Sequence, residues 1–467
     1  MRRKVGTAVC ALAVLISCAA GPEASVEELS ITVREDDPRQ VVRHFGASAA
    51  WWAQAVGHWP EPTVNRIVDL LYDDESGIGL DIVRYNLGGG TEHAVVSDRL
   101  RTAETIELSP GSFDARPDAA AIGVVDRAVR RGAEVVLFAN SPPSRLTVTG
   151  TPNGNGRASN LAAGSERNFA RYLVDAAEYI STTRGWPIGH ISPINEPQWD
   201  WAPKNGQEGS YYSPEQAYRV VRALYDEVHE RGLDYAISAV ESGEMKLASN
   251  LHFIDLMFAD PQLRSALDHY AVHSYWSAAR DRQDLWRYLS SRYPEVELWM
   301  TEWTEMKAGK DLSMDAALVL AATVHQDMVY ANASSWQYWI ALSPYDYRDG
   351  LLYIDLSTRT FQISKKLWAL GNWSRFIDAG ARRLETEPAT PRSLLASAYR
   401  NPDRSIVVVL VNLHRSDRQQ VQIHTATTFT QMEVHQTSAA LDLEQVYDGA
   451  PSVATVPPRS VVTVVLH

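Results

Sequence analysis

Between Val42 and Trp373 the apolar residues fall into two alternating textures. Short runs of strand length occur at Val42–Ala49, Ile82–Leu87, Val135–Asn140, His190–Asn195, Tyr235–Ala239, Tyr270–His273, Glu297–Met300 and Ser335–Trp339. Between them lie longer segments with apolar residues at helical spacing, clearest at Thr63–Tyr72, Asp118–Arg131, Glu166–Thr183, Pro214–Arg231 and Met314–Asn332. Ser213-Pro214 reads as an N-cap followed by a first-turn proline, and Gly132 and Gly232 sit just past helix ends. Eight strands alternating with helices predict a (β/α)8 TIM barrel over residues 43–375. The competing open, doubly wound sheet would more usually carry a glycine-rich phosphate loop after its first strand. Gly88-Gly89-Gly90 does follow a strand, but lacks that spacing and opens no helix.

After Arg375 the texture becomes all-β. Leu394–Tyr399, Ser405–Asn412, Gln419–Thr425, Glu444–Tyr447 and Ser460–Leu466 are short strand candidates between turn-rich segments. Leu29–Val33 and Gln40–Val42 have the same character. Residues 29–42 and 376–467 are therefore expected to form one β-sandwich beside the barrel, closed by both ends of the chain.

The first residues change the picture of where the protein works. Arg2, Arg3 and Lys4 precede an apolar core, Val5 to Ile16, that is too short to span a bilayer. Leu15-Ile16-Ser17-Cys18 resembles a bacterial lipobox, with residues 1–17 as signal and Cys18 as the lipidated residue. The alternative is an ordinary secretory signal cut near Ala20. Residues 18–28 read as a flexible tether. A membrane-anchored lipoprotein at the cell surface or periplasmic face is expected, or else a secreted protein. Cys10, the other cysteine, lies inside the signal, so the exported chain has no disulfide framework. The 467 residues carry a formal net charge of -13, which disfavours nucleic acid as a partner. A monomer acting on a polysaccharide is expected.

Chemistry concentrates at strand ends. His190–Trp199 is an apolar run stopped by Asn195-Glu196-Pro197, where proline ends the ladder. Glu297–Trp303 is a second short apolar run, ending in Glu302. A lone strand-end glutamate is as often merely solvated or salt-bridged. Two carboxylates at the mouth of one barrel are what retaining glycoside hydrolysis requires. Glu305 competes with Glu302 but falls in the following loop. The 13 histidines show no HxH or HExxH spacing, so neither a metal nor a cofactor is expected.

The motifs taken together resemble clan A glycoside hydrolases, and family 30 in particular. They are His44-Phe45-Gly46-Ala47-Ser48, Arg84-Tyr85-Asn86-Leu87-Gly88-Gly89-Gly90, Ala139-Asn140-Ser141-Pro142-Pro143 and His273-Ser274-Tyr275. Asn195-Glu196-Pro197-Gln198-Trp199-Asp200-Trp201, with Gln207-Glu208-Gly209 after it, is similar to the endo-β-1,6-galactanase branch. The resemblance covers nearly the whole chain after the signal, sandwich included. It implies Glu196 as acid/base and Glu302 as nucleophile of a retaining endo-hydrolase of β-1,6-linked galactan. The rivals are glucuronoxylan or β-1,6-glucan as substrate, and a non-catalytic carbohydrate-binding barrel.

Other strand-end residues are expected to bind substrate or support the pair. Asn195 is placed to hold a sugar hydroxyl or to bond loop backbone. Arg84 can ion-pair with Glu302, or be a structural pair elsewhere. Asn86 ends the same strand, and Asn140 lines the floor or meets substrate. Tyr275 can orient the nucleophile, while His273 contacts sugar, supports Glu302 or is a core residue. Sugar C–H faces stack on indoles, so Trp52, Trp199, Trp201, Trp303, Trp336 and Trp339 are expected to line subsites. Trp51, Trp276, Tyr345 and Tyr347 are further candidates near the same strand ends.

Overall fold

The computed structural model describes residues 28–390 and 393–467. Cys18 and the rest of the export segment lie outside the described residues. The barrel strands are His44–Ser48, Ile82–Asn86, Glu134–Phe138, Ile188–Ser192, the split pair Ala236–Ile237 and Val240–Ser242, His269–His273, Glu297–Trp303 and Ala333–Ser343. Neighbours pair in parallel and in chain order. The eighth strand closes on the first, with Ser335 opposite His44 and Trp336 opposite Phe45. The fifth strand is broken. Its first half pairs with strand four and its second half with strand six. The fold is the expected TIM barrel.

The helices form where spacing and caps agree. Pro214–Glu230 starts at a reciprocal capping box, in which the Ser213 hydroxyl accepts from the Gln216 amide and the Gln216 side chain accepts from the Ser213 amide. Gly132 and Gly232 adopt φ of +95° and +65° just past helix ends, as C-cap glycines do. Leu247–Ala259, Ala279–Arg292 and Lys365–Ser374 add to the outer helical layer.

The second unit is a nine-stranded sheet folded into a sandwich. Its N-terminal strand, Glu28–Val41, lies between Arg382–Glu387, antiparallel, and Gln419–His424, parallel. The two separate pieces expected on either side of Asp36-Asp37-Pro38 are in fact one strand. It runs through Pro38 with irregular register on both sides, because a bulge tolerates the missing N–H. Strand Ile406–Asn412 shows why some sandwich strands read as unbroken apolar runs. Ile406, Val408 and Leu410 belong to the sandwich core, while Val407, Val409 and Val411 belong to the core shared with the barrel. Ser460–Leu466 divides in the same way. Successive side chains on a strand face opposite sides, so both faces of this sheet are buried. Helix Lys365–Ser374 seals the junction, with the Asn372 amide donating to Thr437 Oγ1 at 2.8 Å.

Candidate active site

Strand ends at the C-terminal mouth of the barrel bring the two expected glutamates together. Glu302 sits within strand seven and is 5% exposed; Glu196 follows strand four at φ +44° and is 8% exposed. A left-handed backbone is uncommon for glutamate and turns the side chain off the strand's alternation. One carboxylate oxygen from each lies within 4.8 Å of the other, and a ring nitrogen of His273 lies within the same distance of both. Arg84 Nη1 donates to Glu302 Oε2 at 3.1 Å and the Tyr275 hydroxyl donates to Glu302 Oε1 at 3.1 Å. His273 Nδ1 lies 3.1 Å from Glu196 Oε1 and 3.6 Å from Glu302 Oε1. The expected Arg84–Glu302 pair and Tyr275–Glu302 hydrogen bond are thus both present.

A third carboxylate underlies the pair, and the sequence reading missed it. Glu241 is wholly buried on the second half of strand five, at φ +58°. Ser192 Oγ donates to it at 2.9 Å, Ser238 Oγ at 3.2 Å, and Thr301 Oγ1 through a short bond. His273 Nε2 is 3.3 Å away and Arg84 Nη2 3.6 Å. Burial works to raise the Glu241 carboxyl, but Arg84, His273 and Thr301 outweigh it and hold it near a pKa of about 2. Burial likewise works against charge on His273, yet Glu302, Glu196 and Glu241 raise it to about 10. Burial pushes the Glu302 carboxyl up, countered by the His273 and Arg84 cations and reinforced by Glu196. The charges thus form one coupled set. Glu196, His273 and Glu302 have metal-ligand atom types at close range. An imidazolium has no free lone pair, however, so a charged His273 cannot serve as a ligand. His190, Asp268 and His269 form a second such group near the opposite end of the barrel, where His269 stacks on Trp299.

Above the glutamates opens a cleft of about 680 Å3. Asn140, Asn195, Trp199, Trp201, Tyr275 and Trp339 line it as expected, as do Trp51, Trp276, Tyr345 and Tyr347. Asn195 Oδ1 is buried without a hydrogen-bond partner among the described residues. Trp201 Nε1 donates to the Glu196 carbonyl at 3.0 Å. Arg101, not anticipated, also lines the cleft, its guanidinium 4.8 Å from the Trp51 ring and 4.9 Å from the Tyr345 ring.

Several residues expected to meet substrate do not line this cleft. Trp336 is wholly buried, its Nε1 donating to Asp327 on helix Met314–Tyr330. Trp303 packs at an angle beside Trp336 and Tyr338 and does not line the cleft. Trp52 is 1% exposed and donates to the Ser48 carbonyl; its neighbour Trp51, at φ +67°, faces the cleft instead. His273 and Arg84 are fully buried and reach the carboxylates rather than the cleft. Asn86 Nδ2 reaches Glu208 at 3.4 Å. Glu208 is itself buried beneath the loops, accepts from the Gly89 and Ala103 amides, and is pushed up to about 7 by burial. Glu305 pairs with Arg348.

The sequence profile of O-glycosyl hydrolase family 30 matches residues 28–353, and the family 30 β-sandwich profile matches residues 380–464. The chain belongs to glycoside hydrolase family 30. Among its relatives is an endo-β-1,6-galactanase from Hypocrea rufa, 24% identical over 397 residues, covering 79% of this chain and 78% of that protein. A glucuronoxylanase from Bacillus subtilis is 23% identical over 321 residues, 68% of this chain and 69% of that protein. In fold, the chain is similar to a conserved exported protein from Bacteroides fragilis, with a TM-score of 0.84 and 24% identity, covering 93% of this chain and 100% of that one. This family 30 chain is therefore an O-glycosyl hydrolase.

Proposed function

We propose that this family 30 hydrolase cleaves β-1,6-linked galactan internally and with retention, using Glu302 as nucleophile and Glu196 as acid/base. The observation carrying the mechanism is that one oxygen of each carboxylate lies within 4.8 Å of the other, with unequal hydrogen bonding. An inverting enzyme would separate its carboxyls by roughly 6.5–9.5 Å to admit water. Glu302 receives the Arg84 guanidinium and the Tyr275 hydroxyl, and donors to a carboxylate favour its ionised form. That suits a nucleophile and counters part of the upward push of burial, which still leaves the carboxyl raised. Among the described residues Glu196 has only His273 as a side-chain partner, and it faces the cleft, where it can protonate a leaving oxygen. Glu302 attacks the anomeric carbon as the Glu196 proton passes to the departing oxygen. Water, deprotonated by Glu196, then displaces Glu302. Asn195 Oδ1 is free to accept from the adjacent sugar hydroxyl. An open cleft suits internal cleavage. The galactan assignment is supported by the Asn195–Trp201 and Gln207–Gly209 blocks and by the galactanase relative.

A second reading, glucuronoxylan, draws on Arg101, a cation in the cleft able to meet a uronate carboxylate. Product analysis on β-1,6-galactan, β-1,3-galactan, glucuronoxylan and β-1,6-glucan separates the substrates. Azide rescue assigns the roles. Glu302→Gly should yield, from an activated substrate, a glycosyl azide of inverted configuration. Glu196→Ala should yield one of retained configuration, because azide intercepts the glycosyl-enzyme. An exchanged pattern would reverse the two roles, and inverted product from the wild type would end the retaining mechanism.

A further inference from the structure

The cleft has two unlike aromatic walls. Trp51 meets Trp339 and Tyr345 edge-on at 5.1 and 6.3 Å, and both tryptophans are under 9% exposed. Facing solvent on the other wall, Trp276 is 58% exposed. It also sits at φ +48°, a backbone conformation that a bulky residue adopts only where its surroundings enforce it. The ring stands beyond strand six, with one neighbour in Tyr275, whose ring centroid is 5.5 Å away. The Trp276 centroid is also 5.7 Å from that of Trp199, with the two planes at 90°.

Trp199 fixes which end of the substrate this corner meets. A Cβ on Gly243 would come within 2.4 Å of Trp199 Nε1 and 2.8 Å of Glu196 Oε1. The indole and the Glu196 carboxyl therefore rest on the same glycine. In the double displacement proposed above, the leaving sugar departs on the side of the proton donor. The wall beside Glu196 is accordingly the leaving-group side.

We propose that Trp199 and Trp276 form the leaving-group subsites, an angled pair of indoles that selects a β-1,6-linked chain. The assignment rests on Glu196 being the acid/base and on the galactanase reading. Sugar rings stack face-on against indoles. A 1,4-linked chain joins its rings through the glycosidic oxygen alone, with two rotatable bonds per linkage. A 1,6 linkage adds an exocyclic methylene and one more rotatable bond, so successive rings can stand at right angles. Two perpendicular indoles present the surfaces that such a bend requires.

The test compares β-1,6-galactotetraose with β-1,6-galactobiosyl fluoride, whose fluoride leaving group carries no sugar. Trp276→Ala should lose about tenfold in kcat/KM on the tetrasaccharide and much less on the fluoride, with Trp276→Phe recovering part of the loss. With the fluoride as donor, the wild type should glycosylate added β-1,6-galactobiose in preference to β-1,4-galactobiose, and Trp276→Ala should lose that preference. Equal losses on both donors, no loss on the tetrasaccharide, or an unchanged acceptor preference would overturn the corner while leaving the galactanase reading intact. A wild type inactive on both substrates would instead overturn the galactanase reading, and the corner with it.

Discussion

Trp336 and Trp339 stand three residues apart on strand eight, and the odd spacing decides their fates. Side chains along a strand alternate between its faces. Trp336 and Tyr338 share the face toward the helices, with Trp303 of strand seven beside them, whereas Trp339 turns to the cleft. Trp336→Ala is therefore expected to cost roughly 3–5 kcal/mol of stability, as a core aromatic deletion does. Chemical denaturation measures it, and a loss below about 1 kcal/mol would return Trp336 to the subsites. The sequence marks tryptophan at strand ends, but indoles suit a helix–strand interface as well as a sugar. Strand boundaries uncertain by one residue reverse the face. Glu302 and Trp303 obey the same alternation, which is why the glutamate was legible and its neighbour was not. Glu196 was legible for a different reason, because Pro197 marks where its ladder stops.

At the scale of elements, strand five is where the barrel departs from regularity. Ala236–Ile237 serves strand four and Val240–Ser242 serves strand six, so the apolar run ends before the strand does. That hid Glu241, a polar residue two positions beyond the apparent strand end at Ala239, where nothing in the local pattern separates a solvated glutamate from a buried one. Trp51, Glu196, Glu241 and Trp276 all have positive φ. The mouth is thus built from residues whose backbones break the alternation that predicts strands. Glu241→Gln removes one negative charge from the set holding Arg84 and His273. Each remaining proton then becomes easier to lose, so the alkaline limb of kcat/KM should move to lower pH. The sign for stability follows from His273. Its folded value of about 10 exceeds its ordinary 6.5, so its contribution is complete below 6.5 and lost as pH rises through 10. The variant should lose that contribution at lower pH than the wild type. It should also unfold about 3–5 kcal/mol more easily at pH 7, as breaking a buried charge pair does. An alkaline limb that stays in place would remove Glu241 from the coupled set.

For the whole molecule, the sandwich is joined to the barrel through a common core, because alternate residues of Ile406–Asn412 and Ser460–Leu466 face each way. Its all-β texture and its use of both chain ends were legible; its two-sided burial shows in the unbroken apolar run Ile406–Val411, while Thr463 interrupts the other strand. Among the described residues no helix is long and apolar enough to cross a membrane. Membrane attachment is proposed to rest on Cys18, upstream of the strand that enters the sandwich, because Leu15-Ile16-Ser17-Cys18 resembles a lipobox. Cys18→Ala should move the protein from the membrane to the soluble fraction of its native host, and mass spectrometry should find acyl chains on the wild-type N-terminal peptide. An unlipidated peptide with unchanged fractionation would remove the anchor. The N-terminal strand has one more consequence, at the level of the gene. Glu28–Val41 takes its partners from Arg382–Glu387 and Gln419–His424, more than three hundred residues downstream. A ribosome releases that strand long before its neighbours exist. No single stop codon or recombination breakpoint can divide the two units cleanly, since a message truncated after the barrel still encodes a fourteen-residue sheet edge with nothing to pair against. The hydrolase and its sandwich are therefore expected to be inherited, shuffled and lost together.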